Sequence, residues 1–336
     1  MLVGKEILFS GMQPTGSMHI GNYLGAIESW VDLQDAYECI YCIVDYHALT
    51  GGADPEALPA NILEMATWLL ACGLDPKRSN LFVQSQVPEH TELCWIFNTV
   101  TPMGELGRMT QFKDKSSRAG TQGDFVNVGL FNYPVLQAAD IMLYKAAHVP
   151  VGEDQRQHLE LTREIARKFN ARYGATFPEA HPLIKEDRRA RVMGLDGKNK
   201  MSKSLDNHIP FAITPKKTRK RVMKALTDPQ RGTLTDPGRP EKCNVFTFHG
   251  FFSTPEKIAE VDAGCRAASF GCGHCKGWLS ESINERLGPI RDKAADLGER
   301  PDDVRDVLRD CGLAVRERAR VTMDEVRAKV GLGGGV

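Results

Sequence analysis

Short apolar runs alternate with stretches of helical periodicity through the first half of this chain, and that alternation leaves few folds open. Ile7-Leu8-Phe9 is a strand-like run that stops at Gly11, and Ile20, Tyr23, Leu24, Ile27 and Val31 follow at helical spacing. Cys39 to Val44 is the next apolar run, ended by Asp45. Leu58 to Ala71 is helical, with Gly73 placed to cap it. Leu81-Phe82-Val83 supplies a third strand, Pro134 to Tyr144 a helix, and Val149 to Val151 a fourth strand. Glu153 to Phe169 opens another helix, with His158, Leu161, Ile165 and Phe169 on one face. Strands separated by helices predict a parallel sheet covered on both faces. Ligands of such sheets bind beyond the carboxyl ends of the strands. After about Asp206 the strand pattern fades: Lys216 to Arg221 is a basic run, Ser280 to Leu297 and Pro301 to Leu313 are charged helices, and Gly331 to Val336 is a frayed tail.

Composition narrows the class further. The 336 residues suit two domains, and 42% apolar with 26% charged side chains excludes collagen-like, disordered and coiled-coil chains. Equal numbers of basic and acidic residues, 43 each, argue against a general polyanion binder but leave room for a local nucleic-acid patch. No apolar run approaches the roughly 20 residues that cross a bilayer. The segment Met1 to Gly11 lacks the pattern of a secretory signal, so a cytoplasmic location is expected.

Two segments carry chemistry. Gly11-Met-Gln13-Pro14-Thr15-Gly16-Ser-Met-His19-Ile20-Gly21-Asn22 lies between the first strand and the first helix. The helix opens near His19, and its free amides and positive dipole end predict an anion site, with His19 and Asn22 on one face as donors. A capped turn with an incidental histidine reads the same residues without a ligand. Lys198-Asn-Lys200-Met201-Ser202-Lys203-Ser204 follows Gly194-Leu-Asp-Gly197 as a glycine-flanked loop. Its lysines and hydroxyls suit a triphosphate whose charge moves during reaction, although charged loops are ordinarily solvated.

The pair is more specific than either part. A His-Ile-Gly-Asn turn with Lys-Met-Ser-Lys-Ser about 180 residues later resembles the two-part signature of class I aminoacyl-tRNA synthetases. The wider chain resembles their tryptophanyl family through Phe9 to Gly16, Ile43 to His47, Gly104 to Lys115, Tyr133 to Asp140 and Val149 to His158. The resemblance implies formation of tryptophanyl-adenylate and pyrophosphate from ATP and tryptophan, then transfer to the terminal ribose of tRNA(Trp). It places Gln13, Pro14, Thr15, His19, Gly21, Asn22, Gly152, Glu153, Asp154, Val192, Lys200, Met201, Ser202, Lys203 and Ser204 at ATP, with Lys200, Lys203 and Lys115 on the phosphates together with Mg²⁺. It gives Asp140 the indole N–H, and puts Phe9, Gly11, His47, Tyr133, Gln137, Val149, Val151 and Gln155 around the ring. Gln137 departs from the Met that some family members carry there, which alters pocket polarity. Without the resemblance, Asp140 in Ala-Ala-Asp reads as an exposed helix residue in an ion pair.

Cysteine gives the third constellation. Cys243, Cys265, Cys272 and Cys275 lie within 33 residues, with Gly264, Gly271 and Gly273 beside them. Four thiolates at such spacings are soft ligands for an iron–sulfur cluster or zinc. A subset of the family carries a four-iron cluster in this region, and the spacing favours [4Fe–4S] over zinc, with His274 outside the ligand set. Cys39, Cys42, Cys72, Cys94 and Cys311 read as core thiols.

The expected architecture is a Rossmann-like parallel α/β catalytic domain over 1–205, with a small helical insertion near 100–145. A helical anticodon-binding region over 206–336 carries the cysteines, and whether its last helices pack back on the first domain stays open. The resemblance implies a homodimer. Two other readings stand: a tyrosyl-type synthetase of the same subclass, and an iron–sulfur RNA-binding protein on a non-catalytic synthetase scaffold. A plain adenylyltransferase using the first motif is disfavoured by the matched pocket segments.

Overall fold

The structure, a computed structural model, describes residues 4–114, 116, 126–184 and 191–333, and not the side chain of Asp154. The chain divides into two compact units. The first comprises residues 1–16, 30–185 and 300–336; the second comprises 17–29 and 186–299. A single boundary at 205 therefore does not describe the chain. The first signature turn and the lysine loop share one unit, and the C-terminal helix belongs to the other.

The first unit is built on five parallel strands, β1 (Ile7–Met12), β2 (Glu38–Ile43), β3 (Ser79–Val83), β4 (His148–Pro150) and β5 (His181–Leu183), in the order β3-β2-β1-β4-β5. The order reverses between β1 and β4, the switch point where ligands of such sheets bind. Strand β2 is buried along five of its six residues, as expected of a central parallel strand. Its Tyr41 is tolerated in the core because its hydroxyl donates to the Trp30 carbonyl (2.7 Å) while the two rings stack at 4.7 Å. β5 was not legible in the sequence: it is three residues long and contains Pro182, which an edge strand accepts because one side of its ladder is unpaired.

Helices α3 (Asp45–Leu49), α4 (Leu58–Ala71), α5 (Glu89–Asn98), α6 (Met103–Arg108), α7 (Val128–Met142) and α8 (Arg156–Tyr173) connect and cover these strands. They follow α1 (Ile20–Asn22) and α2 (Glu28–Leu33), which are joined by a π-helical turn at Tyr23–Ile27. The core joins both faces through fully buried Phe82, Phe97, Phe169 and Leu143. Each large side chain removed from water contributes roughly 1.5–3 kcal/mol. The C-terminal helix, α13 (Pro301–Val330), packs on β3, α4 and α5. It buries Cys311, Val315, Ala319, Met323 and Val326 at helical spacing.

The second unit is mostly helical, with α9 (Pro215–Val222), α10 (Asn244–Phe252), α11 (Pro255–Arg266) and α12 (Cys272–Glu299). Thr214 and Thr254 cap α9 and α11 by accepting from the Lys217 and Lys257 amides, each with proline next in the chain. The basic run Lys216 to Arg221 is therefore a helix, its buried residues Thr218 and Val222 turned inward. α12 buries Cys275, Leu279, Ile283 and Leu287 along one stripe and packs on α9 and α10. Among the described residues, no helix is long and apolar enough to cross a membrane.

Candidate active site

Within the second unit the two signature segments meet. His19 pairs with Pro210 in an isolated antiparallel bridge, the Ile20 amide donates to the Ile209 carbonyl (3.0 Å), and the Phe211 amide to the Met18 carbonyl (2.9 Å). A Cβ at Gly21 would stand 2.9 Å from His19 Nδ1 and 3.2 Å from Met201 Cβ, so only glycine lets the histidine ring fold back while methionine packs over the turn. Met201 is thereby buried, a packing role beside its expected place at ATP.

The helix-start amides are not free, which corrects the sequence expectation. Gly21 N–H donates to His19 Nδ1 (3.2 Å), His19 N–H to Asn22 Oδ1 (3.0 Å), and Asn22 N–H to the His19 carbonyl (2.9 Å). This reciprocal cap consumes the donors that an anion would have used. What remains toward a ligand is side-chain chemistry: Nε2–H of His19, the amide nitrogen of Asn22 and the loop lysines. Burial and then the positive charge of His208, Lys203 and Lys200 hold His19 down at about 4, so its imidazole is neutral and Nε2 carries the proton.

The lysine loop is braced from within. Asn207, which no motif had marked, accepts from Ser202 N (2.8 Å) and donates to Asp196 (3.1 Å) and the Lys200 carbonyl (3.3 Å). Asp196 in turn accepts from the Lys198 and Asn199 amides (3.1 and 3.2 Å). Burial opposes its ionisation, but these bonds hold Asp196 down at about 2. A Cβ at Gly194 would collide with Asn207. Lys200 is exposed and Lys203 half-buried; Val192 is buried and its carbonyl accepts from Met201 N (3.0 Å). Ser202 and Ser204 hydroxyls lie 3.3 Å apart.

In the first unit His47, of the expected ring-binding residues, bonds Asp140 directly, and Tyr133 packs against His47. Along α7, Tyr133, Gln137 and Asp140 share one stripe at spacings of four and three. Asp140 is 1% exposed, so its reading as a surface ion pair fails. Its Oδ2 lies 2.9 Å from His47 Nε2; its Oδ1 lies 2.7 Å from both Gln84 Nε2 and His90 Nδ1. Burial pushes the carboxyl up, but the bonds from His47 and His90 outweigh it and hold Asp140 well below the usual carboxylate range. The His47 and Tyr133 rings are edge to face at 6.2 Å, and Tyr133 bonds His158 Nε2 at 2.8 Å. Phe9 stacks on Tyr144 (5.7 Å), one turn beyond Asp140. Val149 is buried on β4 beside β1, and Ser10 Oγ donates to the Pro150 carbonyl (3.3 Å), tying the two strand ends at the switch point. Gly11 leaves room for Val44, since a Cβ there would stand 2.8 Å from Val44 Cγ1. Val151 donates its amide to Leu183 (3.2 Å), while Gln137 and Gln155 are partly exposed. Gln13 and Thr15 are exposed just after β1, with Pro14 buried between them; Gly152 and Glu153 follow β4, where Glu153 pairs with Arg156 (2.7 Å). Lys115 lies outside the described residues. Sequence reasoning missed Gln84, His90 and Tyr144; the only signal was the change from apolar to polar at Gln84, directly after β3.

The four cysteines of the second unit are neighbours. Burial, then the thiols of Cys243, Cys265 and Cys272, push Cys275 up to about 12. Arg231 donates to Cys265 Sγ (3.7 Å), and His249 Nε2 stands 3.4 Å from Cys275 Sγ. A Cβ at Gly238 would collide with Cys265 Sγ. Gly264 and Gly271 make room for Phe270 and Leu234, so they serve packing where the sequence suggested flexibility. Among the described residues no three such side chains are already arranged as a metal-ligand set. The donor chemistry fits a thiophilic group: four soft ligands, with the Arg231 guanidinium beside Cys265 and the His249 imidazole beside Cys275.

The first unit's parallel sheet reversing at β1 and β4, and the second unit's histidine turn bridged to Ile209–Phe211 with Met201 packed beside it, are each features of a class I nucleotide-activating enzyme. The family model described as "tRNA synthetases class I (W and Y)" matches residues 4–288. Tryptophan–tRNA ligase from Deinococcus radiodurans is 51% identical over 332 residues, covering 96% of this chain and 98% of that protein. The corresponding ligase of Wolinella succinogenes is 44% identical over 98% of this chain and 99% of its own. Among solved structures, tryptophanyl-tRNA synthetase from Campylobacter jejuni, complexed with ADP and tryptophan, superimposes with a TM-score of 0.88 at 37% identity over 97% of this chain and 100% of its own. The chain belongs to the class I aminoacyl-tRNA synthetases of tryptophan and tyrosine.

Proposed function

We propose that this chain is a tryptophan–tRNA ligase: it activates L-tryptophan with ATP and transfers it to tRNA(Trp). The observation that carries the activation step is the meeting of His19 and Gly21 with the Lys200–Ser204 loop. The full-length relatives, named for tryptophan, favour that amino acid over tyrosine. In the first step a carboxylate oxygen of tryptophan attacks the α-phosphorus and pyrophosphate leaves with the bridging oxygen. No enzyme nucleophile or general base is required. The protein aligns the reactants and neutralises charge developing on the departing pyrophosphate. Lys200, Lys203 and, by its motif, Lys115 supply that charge, with Ser202, Ser204, His19 and Asn22 as neutral donors. Mg²⁺ would arrive on the triphosphate, whose oxygens suit it. Gln13, Pro14, Thr15, Gly152, Glu153, Asp154 and Val192 are proposed for the rest of ATP. In the second step a hydroxyl of the terminal ribose attacks the mixed anhydride and AMP leaves.

Asp140 is proposed to accept the indole N–H, with Phe9, Gly11, His47, Tyr133, Gln137, Val149, Val151 and Gln155 around the ring. A buried acceptor rejects a side chain that offers no donor. Cys243, Cys265, Cys272 and Cys275 are proposed to hold a [4Fe–4S] cluster, which when bound would cross-link the start of α10, the end of α11 and the first turn of α12; the alternative is zinc. A homodimer is proposed, supported by exposed Leu49, Trp95 and Val128 near an apolar groove of about 450 Å³. A cytoplasmic location is proposed, in keeping with ATP and tRNA as reactants. Aminoacylation of tRNA(Trp) with tryptophan, run beside iron, sulfide and zinc analysis of the same sample, tests the reading. Zinc without sulfide would remove the cluster, and tryptophan-independent behaviour would remove the enzyme.

A further inference from the structure

Two side chains bonded to Asp140, Gln84 and His90, belong to no signature motif, and each is fixed by a second bond. Gln84 follows β3; its Oε1 accepts the Tyr46 amide (3.1 Å), which forces its Nε2 toward Asp140 Oδ1 (2.7 Å). His90 is fully buried, its ring stacked on Phe82 at 5.9 Å. Because a carboxylate only accepts, His90 Nδ1 carries the proton shared with Oδ1, and its Nε2 then accepts from the Tyr144 hydroxyl (2.8 Å). Tyr144 is itself buried against Phe9. An ionised carboxylate offers about four acceptor positions. Gln84 and His90 fill both on Oδ1, and His47 fills one on Oδ2.

We propose that His90 and Gln84 are positioning residues for amino-acid selection: by filling Oδ1 they fix the carboxylate plane and leave one acceptor position, on Oδ2, for the substrate's ring N–H. The inference rests on the assignment of Asp140 as indole acceptor made above. An indole nitrogen donates only, and the Asp140 group offers an acceptor with its own donors already spent. A phenol hydroxyl, which both donates and accepts, leaves its oxygen without a donor there.

The test is pyrophosphate exchange with tryptophan and with its benzothienyl isostere, in which sulfur replaces the N–H. His90→Leu removes the donor. His90→Asn keeps an amide nitrogen where Nδ1 stood, and His90→Gln places it toward Tyr144. Loss of a charge-assisted bond to a buried carboxylate predicts that the preference for tryptophan over the isostere, in kcat/KM, falls ~10- to 100-fold in the Leu and Gln variants. The change should lie in the amino-acid KM, with the ATP KM unmoved, and the Asn variant should recover most of it. An equal loss for both amino acids would make His90 a packing residue and overturn the inference. If the Leu variant does not fold, the Asn and Gln pair decides, and Gln84→Met makes the same prediction from the other donor. Asp140→Asn separates the two levels. An unchanged preference there would sink the Asp140 assignment itself, whereas a collapse there with none in the His90 and Gln84 variants would sink only this inference.

Discussion

At the scale of single residues, charge and hydrogen-bond supply decide what each group can do. His19 is the clearest case. Its Nδ1 is spent on Gly21, so Nε2–H is its one outward donor. Burial and the neighbouring cations hold its folded pKa at about 4, below the ordinary 6.5 of a histidine. The unfolded chain therefore binds a proton first as pH falls, so stability is complete above about 6.5, declines between 6.5 and 4, and levels off below. Urea midpoints measured against a His19→Asn variant should show the wild type losing its advantage across that window; parallel curves would contradict a neutral buried imidazole. Adenylate formation should likewise show no His19 ionisation near neutral pH. Lys203→Ala should slow adenylate formation while leaving tryptophan affinity nearly unchanged, and a wild-type single-turnover rate would remove Lys203 from the phosphates. The sequence made these two residues legible because their motifs are short and local. It left Gln84, His90 and Asn207 dark because their partners stand 56, 50 and 11 positions away and only folding joins them.

At the scale of elements, loops are held by a few buried polar keystones. Gly194→Ala puts a methyl group where Asn207 lies, which frees Ser202 and Lys200 from their brace. The ATP KM should rise several-fold with the tryptophan KM unmoved, and equal rises in both would mean general damage. α13 is held to α5 by Arg316 on Glu89 (3.2 Å) and Arg327 on Glu92 (2.8 Å). Glu89 is buried and Arg320 stands 3.9 Å from the same oxygen, so Arg316→Ala removes the closer of two cationic partners and should cost about 1 kcal/mol in chemical denaturation. Helix periodicity found α4 at its observed bounds and the body of α8. It shortened α13 to Leu313, because beyond that point charged residues outnumber the buried stripe of Val315, Ala319, Met323 and Val326. Val149 to Val151 is shifted by one residue from β4, a three-residue strand whose length packing decides.

At the scale of the whole molecule, the chain order and the unit order differ. Residues 17–29 join 186–299, so the two signatures fold as neighbours despite the distance between them in sequence, and residues 300–336 return to the sheet. Alternating strands and helices made the parallel sheet legible. No local pattern could reveal which unit a terminal helix joins, because that depends on the buried face it meets. The proposed dimer predicts that Trp95→Glu, on a side chain 73% exposed, shifts the mass in light scattering toward the monomer. Wild type already monomeric at micromolar concentration would contradict the dimer.

The central claim is that this chain activates tryptophan. Amino-acid-dependent ATP–pyrophosphate exchange tests it most directly: exchange driven by tryptophan at least a hundredfold better than by tyrosine, on the order that a buried hydrogen-bonding site can enforce, is the predicted result. Exchange with tyrosine in preference, or none with either amino acid, would contradict it.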